Sequence, residues 1–279
     1  MKTHTTRHPA AMVLAGTAAL GLALAFAPVS AGAGLLPPTN CSVSSASLYT
    51  ACSFDASESL WVTTAQCQNL PDGPGRRACF AEKNATYTED LALCGAQKRA
   101  RLEVCEDLGD APYDPKIIPS NFDNPDDIGG SVAPNPYLLL VPGHTRVYES
   151  GDEEITVTIT NDTVQILGVT CRVVTDQVIL KSSGELVEDT VDWMAQDIFG
   201  NVWYFGERVL NYEDGELNNL DGSFKAGVDR AKPGILMKAA PAAGDVYREE
   251  WALTEAEDVA EVLSTSASAT SPAASCAGT

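Results

Sequence analysis

The spacing of apolar residues changes once along the chain, from a helical period before Leu108 to strict alternation after Tyr137. In the first part, Asp55 followed by Glu58 resembles a capping box, and Leu60, Trp61, Thr64, Ala65 and Gln68 continue a helix from it. The stretch 69–75 holds two prolines and two glycines and breaks that helix. A second helix is predicted over 76–108, with Phe80, Tyr87, Leu91, Cys94, Leu102 and Cys105 on one side and Gly109 as its stop. The arm between Cys41 and Cys52 is rich in serine and is the weakest helix former of the three segments.

In the second part, Ile155, Val157 and Ile159 alternate with Thr156, Thr158 and Thr160, and Asn161-Asp162 supplies a turn signal. Further strands are expected over 164–180, 186–198, 201–212, 223–226, 235–238, 245–253 and 258–264. They are separated by turn signals such as Ser183-Gly184, Gly200-Asn201 and Asp214-Gly215. Short successive strands without an intervening helical pattern imply an antiparallel meander, either a curved sheet or a partly open barrel. The fold class is therefore α+β: a helical hairpin over 41–108 and a β domain over 137–264. They are joined by a proline- and aspartate-rich linker over 109–136, and a Ser/Ala/Thr-rich tail follows over 265–279.

Charge and cysteine content add a compartment to this plan. Residues 1–33 carry Lys2 and Arg7, an apolar run over 10–26 and small residues around Ala31 and Ala33, the three parts of a cleaved signal peptide. No later stretch is long and apolar enough to span a bilayer, so the mature chain is expected to be secreted or extracytoplasmic. The net charge of −20 opposes a nucleic-acid partner, because phosphate is repelled at long range.

Export makes disulfides the expected state of the eight cysteines. Cys41 and Cys105, Cys52 and Cys94, and Cys67 and Cys79 are placed symmetrically about Gly73. Antiparallel helices joined by a short turn advance equally in opposite directions, so facing residues keep a constant index sum. Steps of 11 and 15 residues leave the cysteines of one helix within about 60° of a common stripe. Of the fifteen pairings open to six cysteines, the symmetric one is favoured. Zinc and redox-active dithiols call for short gaps of the C-x-x-C kind, which are missing. Cys171 and Cys276 remain for each other or for a partner elsewhere.

The segments Pro136-Tyr137-Leu138, Val147-Tyr148-Glu149, Gly168-Val169-Thr170-Cys171-Arg172-Val173-Val174, Asp192-Trp193-Met194-Ala195-Gln196-Asp197 and Gly200-Asn201-Val202-Trp203-Tyr204-Phe205-Gly206-Glu207 resemble a family of exported bacterial proteins with no assigned activity. Pro233-Gly234-Ile235 and Asp245-Val246-Tyr247-Arg248 extend the resemblance over residues 135–264. It brings no catalytic residues, and because members of that family continue into further strands, it implies a sheet with one unclosed edge.

His144 is the one histidine beyond the leader, and Val141-Pro142-Gly143-His144-Thr145 reads as a turn, so a Ser-His-Asp or Cys-His centre has no proton shuttle. Glu185, Glu188, Asp189, Asp192 and Asp197 lie beside Trp193, and Trp203 and Tyr204 follow. Asp192, Trp193, Trp203, Tyr204 and Glu207 are the candidate ligand-binding set, against the reading of buried rings and a solvated acidic face. Asp123, Asp126 and Asp127, and the acidic stretch 214–222, offer at most weak calcium binding, since neither has the spacing of an EF-hand loop. The expectation is an exported, non-enzymatic module for an unknown small molecule, glycan or cell-envelope component. The alternative is a glycosidase-like hydrolase using carboxylates near Trp193 and Trp203.

Overall fold

The computed structural model describes residues 40–268; the expected signal peptide, Cys276 and the end of the tail lie outside the described residues. Helix α1 spans Asn40–Gln68 and α2 spans Pro74–Leu108. The serine-rich arm is helical throughout, and Asp55 sits in the middle of α1 instead of capping its start. The hydroxyls of Ser44, Ser47, Thr50, Ser53, Ser57 and Thr64 each donate to the carbonyl four residues earlier, at 2.7–2.9 Å. Folded back in this way, each shares a carbonyl with the helical N–H, so the hydroxyls are satisfied without drawing the chain out of the helix. Gly109 ends α2 with a φ of 80° and its N–H on the Cys105 carbonyl, as its position in the sequence leads one to expect.

The symmetric cysteines are paired: Cys41–Cys105, Cys52–Cys94 and Cys67–Cys79, with Cα separations of 6.1, 5.8 and 5.6 Å. These bridges stand in for a core. Only Ser45, Ala56, Cys67 and Cys94 are buried along the two helices, while Phe54 and Trp61 are 72% and 70% exposed. So little apolar burial leaves the hairpin dependent on crosslinks that restrict its unfolded state.

The β unit is a nine-stranded antiparallel sheet curled into a half-barrel. Its strands are β1 (Thr145–Ser150), β2 (Glu153–Ile166), β3 (Val169–Leu180), β4 (Leu186–Gln196), β5 (Val202–Glu213), β6 (Glu216–Asn219), β7 (Phe224–Lys225), β8 (Lys232–Met237) and β10 (Glu250–Trp251). The order β1-β2-β3-β4-β5-β8-β10 is a meander to which β6 and β7 attach at β5. A two-stranded ribbon of β9 (Val246–Arg248) and β11 (Val259–Glu261) stands beside it.

Asn161-Asp162 is not a turn. It is a bulge within β2, where the register against β3 shifts between Ile159 and Thr163. The Arg172 side chain explains it: buried at 1% exposure, it donates from Nη1 to the Asn161 carbonyl and from Nη2 to Asp126, so the extra residues are held by a cation and the strand continues. The reversal comes instead at Leu167 and Gly168, both with positive φ.

Alternation assigns the two faces. Ile159, Val174, Met194, Val202 and Tyr204 line the inner face, closed by Ile128 and Leu140; Val169, Cys171, Ala195 and Phe205 line the outer face, covered by Ile117 and Phe122. The segment expected as a linker thus lies along the sheet. Asn135 is fully buried in it, taking the Gln196 Oε1 on its N–H and donating to the Gly200 carbonyl. Proline keeps this stretch out of regular structure, and the side chains of Asn135 and Gln196 satisfy the backbone that it buries.

Candidate functional site

The five candidate residues do not form one site. Asp192 and Tyr204 lie on the inner face with Glu207 opposite Asp192 in the β4–β5 register, while Trp193 and Trp203 pack on the outer face. Residues adjacent along a strand point to opposite sides, which separates each tryptophan from its neighbouring acid or tyrosine. The shift of register between Trp193 and Met194 is what returns Glu207 to the same side as Tyr204.

On the inner face Tyr204 donates its hydroxyl to Asp192 at 2.5 Å, and its ring meets Phe224 edge-on at 5.5 Å. Burial pushes the Asp192 carboxyl up to about 7, with Asp176 and Glu188 adding repulsion. Burial together with Asp192 and Glu250 pushes Glu207 up to about 8, and burial together with Asp258 pushes Glu250 up to about 7. These are like charges crowded onto a low-dielectric floor, so near neutral pH part of the cluster holds protons.

The outer-face tryptophans are engaged structurally. Trp203 donates Nε1 to Asp197 at 2.8 Å, and Asp197 also takes the N–H groups of Phe199 and Asn201. Trp193 carries the Lys225 ammonium 5.4 Å from its centroid. Of the other acids, Asp189 accepts from Gln177, and Thr190 donates to Glu188. His144 is exposed in a turn at Gly143.

Several of the calcium candidates have protein partners. Asp123 accepts from Gln196, Asp126 pairs with Arg172, and in the acidic hairpin Asn219 binds Asn211 and the Asp221 N–H. Among the described residues no three His, Cys, Asp or Glu side chains are grouped to hold a metal. Cys171 has no disulfide partner among the described residues, and burial pushes its thiol up to about 12. A thiol so seldom ionised is a poor nucleophile.

A cavity of about 860 Å³ lies elsewhere, between α1 and α2 on one side and, on the other, the outer face at β5, β8 and β10 together with β9 of the ribbon. Leu48, Val104 and Leu108 form its helical wall; Ile235, Val246 and Leu253 face them. Tyr113, Trp203, Tyr247 and Trp251 add aromatic surface. Arg101 and Glu257 border it as a bidentate pair, Nη2 to Oε1 at 2.7 Å and Nε to Oε2 at 3.0 Å, both side chains about four-fifths buried. Tyr113, at the start of the segment crossing from α2, donates its hydroxyl to the Pro233 carbonyl at 2.9 Å and is pushed up to about 12 by burial.

Of the earlier candidates only Trp203 borders this cavity. Ile235, Val246, Tyr247 and Arg248 fall in segments that carry the resemblance, which gives them no role, and the meaning of the run Tyr247, Arg248 and Trp251 depends on helices more than a hundred residues away. The chain matches no protein-family model, no curated protein and no solved structure.

Proposed function

We propose that this protein is an exported, non-catalytic binding module whose ligand occupies the cavity between the stapled hairpin and the sheet. The observation that carries the reading is the cavity itself. Its volume of about 860 Å³ falls within the ordinary range for small-molecule sites, and its walls are mainly apolar with a few convergent polar groups. The helical wall is held by three disulfides and tied by Arg101–Glu257 to the loop between β10 and β11, so little order remains to be imposed on binding. Neither histidine nor a free thiol lines it. Export is supported by the same bridges and by the leader-like pattern of residues 1–33.

The alternative, a carboxylate-dependent hydrolase, draws on Asp192 and Glu207, whose raised pKa values suit a proton donor. It is the weaker reading because Tyr204 occupies Asp192 and the rings that would hold a sugar lie on the opposite face.

The test is calorimetric titration of the purified chain with a panel of small apolar and amphipathic molecules, product formation being followed in parallel. Saturable binding without turnover is expected, lost in Val104→Trp, which fills the helical wall of the cavity. Turnover abolished by Asp192→Asn in a folded protein would instead establish the hydrolase.

A further inference from the structure

Resting on that reading, we infer that the cavity takes an amphipathic anion, with one negatively charged head against Arg248 and an alkyl body along the apolar walls.

The charges of the lining are unequal. Arg101, Lys232 and Arg248 face only Asp114 and Glu257, a local excess of one positive charge in a chain whose net charge is −20. Two of the cations are satisfied. Arg101 takes both oxygens of Glu257, which also accepts the Thr254 N–H. Lys232 donates to the Tyr113 carbonyl and to Asp114.

Arg248 differs. Among the described residues its guanidinium makes no ion pair or hydrogen bond, and it lies over the Tyr113 ring at 5.7 Å from the centroid. Glu257 is near enough to act on it through space, yet its oxygens are already taken by Arg101. A partly buried guanidinium with five donors and no acceptor is incomplete until an anion or water meets it.

The rest of the lining selects against other head groups. An ammonium ligand needs open aromatic faces, but three of the four lining rings already carry a cation, Tyr113 under Arg248, Trp251 under Lys232 and Tyr247 under Lys238 at 4.8 Å, which leaves Trp203 alone. A sugar would need polar side chains spread around its ring, whereas Asn40, Ser44, Ser45 and Gln97 all sit on the helical wall and Ile235, Val246 and Leu253 present hydrocarbon opposite them. An alkyl chain fits this surface. The protein's overall negative charge does not prevent it, because distant charges are screened beyond about 8 Å while Arg248 acts at contact.

The probe is dodecanoate below its micellar concentration, compared with dodecyltrimethylammonium and with acetate, by calorimetry on the disulfide-bonded chain. Wild type is expected to bind dodecanoate saturably, at least about tenfold more tightly than the cationic amphiphile, and to ignore acetate. R248Q is expected to weaken dodecanoate by about 10- to 100-fold, the loss of one charge-assisted pair, and to leave dodecyltrimethylammonium unchanged or improved.

Equal affinity for the two amphiphiles, or an unchanged dodecanoate affinity in folded R248Q, overturns the anion assignment and leaves the cavity as a site for neutral ligands. If neither amphiphile binds, and the wider panel also fails to distinguish wild type from Val104→Trp, the cavity reading falls as well. Should R248Q lose the wild-type circular dichroism spectrum, R248K decides: keeping the charge, it is expected to keep the preference for the anion, and loss of that preference overturns the proposal.

Discussion

Replacing Glu207 by Gln removes one ionisable group from the crowded inner face, and the effect should reverse sign with pH. A carboxyl whose pKa is raised by folding holds its proton more tightly in the native state. The stability it contributes is present below the unfolded value, about 4, and is lost as pH rises through the folded value. Glu207 rises from 4.5 to about 8, Asp192 from 3.8 to about 7 and Glu250 from 4.5 to about 7, so wild type should lose stability between about pH 5 and pH 9.

One pKa unit corresponds to about 1.4 kcal/mol, so Glu207 taken alone would account for about 5 kcal/mol. Its charge is coupled to those of Asp192 and Glu250, and deleting it should recover about 2 kcal/mol at pH 9. At pH 5 the carboxyl is protonated and the amide gains nothing, losing up to about 1 kcal/mol through a poorer hydrogen bond with Tyr204. For a chain of this size 2 kcal/mol corresponds to about 4–8 °C. Thermal unfolding followed by circular dichroism at constant ionic strength, with exposed Glu213→Gln as control, measures both arms. The lowered carboxyls, Asp114 and Asp245, titrate below this window and do not contribute to its slope. A wild-type midpoint that rises from pH 5 to pH 9, or a Glu207→Gln slope equal to that of wild type, refutes the reasoning.

Three further outcomes follow from the geometry. Cys52→Ser with Cys94→Ser should cost about 2–5 kcal/mol in urea unfolding, with helical ellipticity lost before the β signal; coincident, unshifted transitions would show that the hairpin holds without that bridge. A double-mutant cycle on Arg101→Ala and Glu257→Gln should give a coupling of about 1–3 kcal/mol, because the pair is largely buried and bidentate, and a coupling near zero would mean that the hairpin docks by other means. Gly206→Ala should cost about 3 kcal/mol or more, since its Cβ would stand 2.4 Å from the Phe224 carbonyl oxygen at a φ of +140°; an unchanged urea midpoint would contradict the bulge geometry at β5.

The cysteine pairing and the meander were legible in the sequence because both are local rules repeated along the chain. Equal advance along antiparallel helices fixes which cysteines face each other about Gly73, and alternation such as Ile155, Val157 and Ile159 fixes a half-buried strand. The helicity of the serine-rich arm was hidden because its hydroxyls bond backward within the helix, an outcome that propensity alone does not predict. Tertiary structure alone decided the sites. Asp192 and Trp193 are neighbours in sequence and belong to different faces, and the register shift after Trp193 determines that Glu207 joins Asp192. The cavity draws on helices, on the crossing segment at Tyr113 and on strands past Lys232, so its free guanidinium has no meaning until residues more than a hundred positions apart are packed together. Short-range periodicity determines elements and their partners; which side chains are left without a partner is settled only when the whole surface has been matched.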